Sequence, residues 1–457
     1  MVSAESFWTH SLHTASKGES ITRILAAAIQ AADPGDAVRR WVHREGGRLI
    51  VSGRSYDLQT FRRVALLGIG KASVPMAEAL ADILADHLSS ALVITKHPPA
   101  SLPVHHPLSM NHASWSILQG DHPVPAERSL KAGEAVLEFV SALRPEDLLV
   151  CLISGGGSAL VTSPVKGVSL ADMQALTATL LVNGATIGEV NTLRRRLDRL
   201  KGGGIVKLSN KATVVGLIIS DVVGNPLETI ASGPTAPDPT TRQDALAVIE
   251  KYALRGLVPA SILAGLENAP ETPKPADPIF EHVQNVLVGS NLLAAQAALK
   301  QANNEGFHPY LLRTDLQGDA RRAAFELATF LRQAKRSNSP IPAPACVLAG
   351  GETTVTVKGK GRGGRNIELA LAAVSELADF PGVMLGSLAT DGEDGPTDAA
   401  GAVVTGETFR RAAGLGLHPG DFLDRNDSYS FFAALDDLLK PGPTGTNVND
   451  LVFLFTF

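Results

Sequence analysis

Short apolar runs that end in glycine, serine or aspartate, each followed by a segment of helical period, constrain this chain most. RRVALLGIG (62–70) leads into SVPMAEALADILADHL, ALVITK into RSLKAGEAVLEFVSAL, and DLLVCLIS (147–154) into SLADMQALTATLLVNGA, before KATVVGLIIS. Strand and helix alternating at this spacing predict right-handed crossovers and a parallel sheet. The alternation resumes further on with NVLVGS, NLLAAQAALKQANNEG, PYLLRT, DARRAAFELATFLRQAK, CVLAGG, NIELALAAVSELA and VMLGSLATDG. Residues 20–32 predict an amphipathic helix with Ser20 as its N-cap. The proline-rich stretch 268–280 lacks periodicity and predicts a linker. The expected architecture is therefore α/β with two domains, 1–270 and 271–457, flanking a cleft. The run LVFLFTF (451–457) is expected to be a buried strand.

Composition narrows the function classes. Charged residues make up 19% of the 457 and hydrophobic ones 44%, which excludes general disorder. A net charge of −5 supplies no basic field for nucleic acid or an anionic membrane. No apolar run reaches the ~18–20 residues of a membrane span, and the first residues carry no signal-peptide core, so a cytoplasmic location is expected. Cys151 and Cys346 each lie in an apolar run and are expected as buried thiols, not a disulfide.

Ligands of open α/β sheets bind outside the carboxyl ends of the strands, and there this chain places its small and polar residues. LLGIGKAS, CLISGGGSAL, LIISDVVGN, VLAGGETT and SLATDGEDG all fit, and together they point to an anionic ligand. Gly68-Ile69-Gly70-Lys71 fails both glycine fingerprints. Ser73 stands at the third glycine of G-x-G-x-x-G, and Ala65 and Ala72 break the P-loop pattern. What remains is either a lysine that meets a phosphate or carboxylate, or a tight turn with a solvated lysine. Ser154-Gly155-Gly156-Gly157-Ser158 offers an oxyanion nest, or else a plain turn, and is not a nucleophile elbow. Arg194, Arg195, Arg196 and Arg199 read as a solvated helix face, whereas Lys201, set against Gly202–Gly204, is a ligand-binding candidate. Lys358-Gly359-Lys360-Gly361-Arg362-Gly363-Gly364-Arg365 can surround a polyphosphate ahead of a helix whose N-terminal region holds Asn366, and Glu352 and Asn366 are further binding candidates. An RNA-binding arginine–glycine segment is the rival, weakened by the lack of aromatics. Asp391 and Asp394 in TDGEDGPTD can hold Mg²⁺ or take a hydroxyl proton, or else form a plain Asp-Gly turn run. His97, His105, His106, His112 and His122 lack metal spacing and read mostly as surface loop.

GIGKA, ISGGGSAL, KGG, SDVVGNPLETIASGPT, GGETTVTVKGKGRGGRNIELALA, ATDGEDGPTDAAGA and NDSYSFF with GPTGTNVNDL occur in order from about residue 64 onward. The pattern resembles the glycerate 2-kinase family, the MOFRL-type glycerate kinases, some of whose members were once labelled hydroxypyruvate reductases. The resemblance implies ATP-dependent phosphorylation of glycerate to 2-phosphoglycerate with Mg²⁺. It also implies a Rossmann-like N-terminal domain and a C-terminal α/β domain with the active site in the cleft between them. It places the key lysine at Lys71 and the key arginine at Arg365. Ser154–Ser158 and Asp221, Ser232, Gly233 and Thr235 resemble the family's nucleotide- and substrate-facing loops. Asp391 and Asp394 fall in its acidic loop and Asn447 in its C-terminal loop. Where the family reads close to R-K-H-L-S, this chain has Arg194-Arg195-Arg196-Leu197-Asp198, and Asn225 stands where Asp is usual. The expected partners are glycerate and ATP, and a homodimer is compatible with the pattern. Two rivals are an NAD(P)H-dependent hydroxypyruvate reductase and a non-catalytic sensor of a phosphorylated metabolite. The failed dinucleotide fingerprint counts against the first and the acidic loop against the second.

Overall fold

In the computed structural model, which describes residues 2–98, 108–110 and 113–457, the strand-and-helix alternation builds two sheets in two units. The unit 34–288 opens with an antiparallel three-stranded sheet, β1 (Val42–Glu45), β2 (Arg48–Val51) and β3 (Arg54–Asp57), joined by two short hairpins. Its large sheet holds β4 (Arg63–Ile69), β5 (Leu88–Thr95), β6 (Leu108–Met110), β7 (Ala113–Gln119), β8 (Asp147–Ile153), β9 (Thr213–Ile219) and β10 (Val283–Gly289). The strand order is β10-β9-β8-β4-β5-β7-β6. β9, β8, β4, β5 and β7 run parallel, and β6 is antiparallel to β7. Every residue of β8 is buried, as its unbroken apolar run requires in a sheet covered on both faces.

The chain leaves β4 outward through β5 and β7, then crosses back to β8 and on to β9. The order thus reverses between β4 and β8, which makes the loops after these two strands the switch point where α/β sheets bind ligands. Ile69 pairs with Ile153 at the ends of the two strands, so Gly70 and Ser154 leave the sheet side by side.

The second unit joins residues 1–33 to 289–457. Its sheet, ordered β11-β12-β16-β13-β14-β15, contains β11 (His308–Asp319), β12 (Ala345–Thr354), β13 (Val383–Ala389), β14 (Gly401–Thr405), β15 (Leu438–Leu439) and β16 (Asp450–Thr456). Only β11 and β12 are parallel; the other pairings are antiparallel. The LVFLFTF run supplies β16, central and fully buried. Helices Ala320–Ser337 and Arg365–Glu376 give Leu327, Leu331, Ile367 and Leu371 to the core that this sheet shares.

The division differs from the expected 1–270 and 271–457 in two ways. The helix Gly18–Ala31 packs on the helix Asn291–Asn304 and so belongs with the later residues. The proline-rich stretch is no linker: Glu271 meets Arg196, and the Pro273 carbonyl accepts from the Asp238 amide, which folds it into the unit 34–288. Both cysteines are buried and free, and burial pushes their thiols far up. Among the described residues, no helix is long and apolar enough to cross a membrane.

Candidate active site

The β4 and β8 loops are tied together by backbone bonds. The Lys71 amide donates to the Gly155 carbonyl (3.0 Å), the Ser154 amide to the Ile69 carbonyl (3.0 Å), and the Ala72 amide to Ser154 Oγ (3.0 Å). Lys71 lies against Gly156, where a Cβ would come within 3.2 Å of its Cε and 3.1 Å of His122 Cδ2. Gly156 also has φ +82°, so glycine is required twice over. The Lys71 side chain makes no hydrogen bond or ion pair with any described residue. Asp221, after β9, packs beneath Gly155, where a Cβ would stand 1.9 Å from its Oδ2. Burial raises the proton affinity of this carboxyl and the Lys71 charge partly opposes the rise. Ser158 Oγ meets Ser232 Oγ at 2.7 Å, and Ser232 reaches Asn191 Oδ1 at 3.5 Å. Gly70, Ser154–Ser158, Lys71 and Asp221 therefore converge around one cradle, whereas Gly68 lies within β4 and packs on Ser73 and Val93.

Other candidates are structural in their contacts. Lys201 is buried and pairs with Asp198, also donating to the Val161 carbonyl at 3.2 Å. The Gly202 and Gly203 amides donate to the Ser232 and Gly233 carbonyls (2.9 and 2.8 Å), and Thr235 Oγ1 donates to Asn285 on β10. Arg199 is exposed as expected, but Arg195 and Arg196 are not on a solvated face: Arg195 pairs with Asp238 at 2.8 Å and Arg196 with Glu271 at 2.7 Å, both side chains being buried. Asp198 is the counter-ion of the buried Lys201. Asn225 adopts φ +55°, a conformation that Asn and Asp both tolerate.

In the other unit, Arg365 opens its helix and is held by two carboxylates, Asp450 bidentately (2.5 and 3.2 Å) and Glu352 at 2.9 Å. Asn449 donates to Glu352 at 3.1 Å. Asp394 accepts from the Asn366 and Ile367 amides (3.2 and 2.8 Å), closing the start of that helix, so its carboxylate is committed there. Burial pushes Asp394 up to about 7 against the pull of those amides. Asn366 is buried between Asp394 and Ser387, and Asn447 accepts from the Asn449 amide. Asp391 is half-buried and takes the Glu393 amide at 3.3 Å; burial is the main cause that raises it, with Asp450 and Glu393 adding. Of the glycine-spaced cations, Lys358 and Lys360 are exposed, and Arg362 stacks on Tyr429 at 4.5 Å. A cavity of about 780 Å³ lies in this unit, lined among others by Glu352, Gly363, Gly364, Arg365 and Asp394.

Residues 20–267 match a family model described as a domain of unknown function (DUF4147), and 345–450 match the MOFRL family. A D-glycerate 2-kinase of Thermotoga maritima is 41% identical over 85% of this chain and 90% of its own length. The chain belongs to the glycerate 2-kinase family. The Homo sapiens glycerate kinase is 36% identical over 96% of this chain and 92% of that protein. A relative from Agrobacterium vitis, 39% identical over 94% and 92%, carries a provisional hydroxypyruvate reductase name. The crystal structure of Thermotoga maritima glycerate kinase matches with a TM-score of 0.84 at 37% identity, covering 95% of this chain and 98% of that one.

Beside Lys71 stands His122, whose sequence surroundings predict a surface loop. His122 is half-buried beside Lys71, whereas His105, His106 and His112 lie outside the described residues. The missed signal is position: Gly120-Asp121-His122 directly follows β7, at the same sheet end as the other loops. Burial, and then the Lys71 charge, lower His122 from 6.5 to about 4. Between those values the unfolded chain binds a proton that the folded one refuses, so this histidine makes stability rise with pH across that window. Ring-proton NMR titration should find His122 well below 6.5 and moving upward in Lys71→Met. An unchanged value in that variant would mean that the two side chains do not sense each other.

Proposed function

We propose that the chain transfers the γ-phosphoryl group of ATP to the 2-hydroxyl of D-glycerate, giving 2-phosphoglycerate and ADP. The observation that carries this reading is the Lys71 ammonium, laid over Gly156 at the switch point and without a hydrogen bond or ion pair among the described residues. A cation kept there awaits an anion. Full-length relatives named as glycerate kinases support the choice of substrate.

Phosphoryl transfer has a loose transition state, so catalysis is mainly positioning and charge stabilisation. An arginine has five N–H donors. Three of those on Arg365 face Asp450 and Glu352, which locks the guanidinium and leaves two for phosphoryl oxygens. Lys71 neutralises charge on the transferring group or fixes the glycerate carboxylate.

The donor set fits Mg²⁺. Glu352, Asp391 and Asp450 lie about a single arginine, an excess of carboxylate that favours a cation. Among the described residues no group of three or more His, Cys, Asp or Glu could hold a metal alone. Mg²⁺, however, commonly takes one or two carboxylates with substrate phosphates as the rest of its shell. Asp391, whose carboxylate is less committed than those of Asp394 and Asp450, would hold it or take the hydroxyl proton. When bound, the ion neutralises phosphate charge.

An ATP assay on D-glycerate, coupled through enolase, pyruvate kinase and lactate dehydrogenase without phosphoglycerate mutase, tests the proposal. Signal without mutase identifies 2-phosphoglycerate. Signal only with mutase moves the target to the 3-hydroxyl, and NADPH oxidation with hydroxypyruvate instead would establish the reductase. Lys71→Ala should lower kcat about 10²–10³-fold, the cost of one transition-state donor, with an unchanged far-UV circular dichroism spectrum.

A further inference from the structure

Two of the three consecutive arginines near the end of the helix Ile187–Leu197 have counter-ions, Asp238 for Arg195 and Glu271 for Arg196. Arg194 has none: it is half-buried and makes no hydrogen bond or ion pair with any described residue. Burial depresses its proton affinity, and it lies close enough to the buried Lys201 to depress that group as well. A guanidinium drawn out of water without a partner works against folding. Its persistence makes sense where a ligand supplies the counter-charge.

The helix face locates it. Asn191 and Arg194, three residues apart, share one face. Asn191 reaches Ser232, and Ser232 bonds Ser158, whose loop carries the Gly155–Gly157 nest and lies against Lys71. Arg194 thus shares a helix face with the residue that ties this helix to the cradle, and its charge is felt at the buried Lys201. A planar fork matches a carboxylate through two parallel N–H···O bonds, which an ammonium cannot do. Resting on the glycerate-kinase reading, we propose that Arg194 binds the carboxylate of the hydroxy-acid substrate, leaving Lys71 to the phosphoryl group.

Arg194→Met and Arg194→Lys test this through steady-state kinetics and thermal shift with D-glycerate and with ADP separately. In Arg194→Met, KM for D-glycerate should rise about 10- to 100-fold, the range for a lost charge-assisted pair, while KM for ATP stays within about twofold. The unliganded protein should melt no lower than wild type, since an unpaired charge has been removed. Stabilisation by D-glycerate should vanish and that by ADP persist. Arg194→Lys should recover only part of the affinity, since it keeps the charge and loses the fork. An unchanged D-glycerate KM, a rise confined to ATP, or a lower melting temperature would each overturn the assignment. Wild-type protein that neither turns over nor is stabilised by D-glycerate would overturn the kinase reading and this one with it.

Discussion

Arg365→Ala should lower kcat by about 10³–10⁵-fold, the range over which an arginine stabilises a transferring phosphoryl group. The structure adds a second consequence that separates this residue from a merely local contact. Asp450 is buried and pairs with the Arg365 guanidinium, which also holds Glu352. Removing the arginine leaves Asp450 without its counter-charge, at a cost of about 3–5 kcal/mol at neutral pH. Burial already raises the Asp450 carboxyl and Arg365 opposes that rise, so the variant carries a further-raised acid. Such a group binds its proton more tightly folded than unfolded, so the deficit should shrink as pH falls and grow as pH rises through the raised value. Arg365→Lys keeps the charge but cannot bridge two carboxylates while offering two further donors, so it should restore little turnover. Near-normal kcat in Arg365→Ala would remove the residue from the mechanism.

Asp198→Ala should destabilise the fold by more than Lys201→Met, although the two partners form one ion pair. The asymmetry follows from who else depends on each. Asp198 also accepts from Thr162 Oγ1 (2.8 Å), the Ser163 amide (3.1 Å) and the Leu200 amide (3.0 Å), so its loss strands a buried ammonium and three further donors. Lys201→Met leaves the carboxylate with those three donors in place. Breaking a buried pair costs about 3–5 kcal/mol; Asp198→Ala should sit at or above the top of that range in urea unfolding and Lys201→Met at or below its foot. If Lys201→Met instead leaves the urea midpoint unchanged and raises a substrate KM, the lysine is a ligand contact after all.

The place of Lys71 at a sheet end is legible in the sequence because a glycine turn after an apolar strand says where the chain leaves a sheet. β16 is legible for a similar reason, since a run of seven apolar and small residues can only be buried. The arginines 194–196 are not legible as interior residues. Their counter-ions Asp238 and Glu271 lie far along the chain, and charge in a sequence carries no record of what folds back to meet it. Asp394 misleads in the opposite direction: an acidic loop invites a metal, yet two helix amides already occupy its carboxylate. The β1–β3 sheet escapes notice because strands of four residues alternate too briefly to show a period.

The pairing of the helix Gly18–Ala31 with Asn291–Asn304 has a consequence for synthesis. The earlier helix leaves the ribosome before residues 34–288, with Ile21, Ile24, Leu25 and Ile29 among the residues it will bury. Its partner is translated only after the whole of 34–288. For that interval the helix lacks its partner in Asn291–Asn304 and has only the short helices Ala4–Phe7 and His10–Thr14 packed on it, while the unit between has every residue it needs to close. Chaperones meeting the nascent chain should therefore engage the helix Gly18–Ala31, and severing it should bare the side of Asn291–Asn304 that it covers.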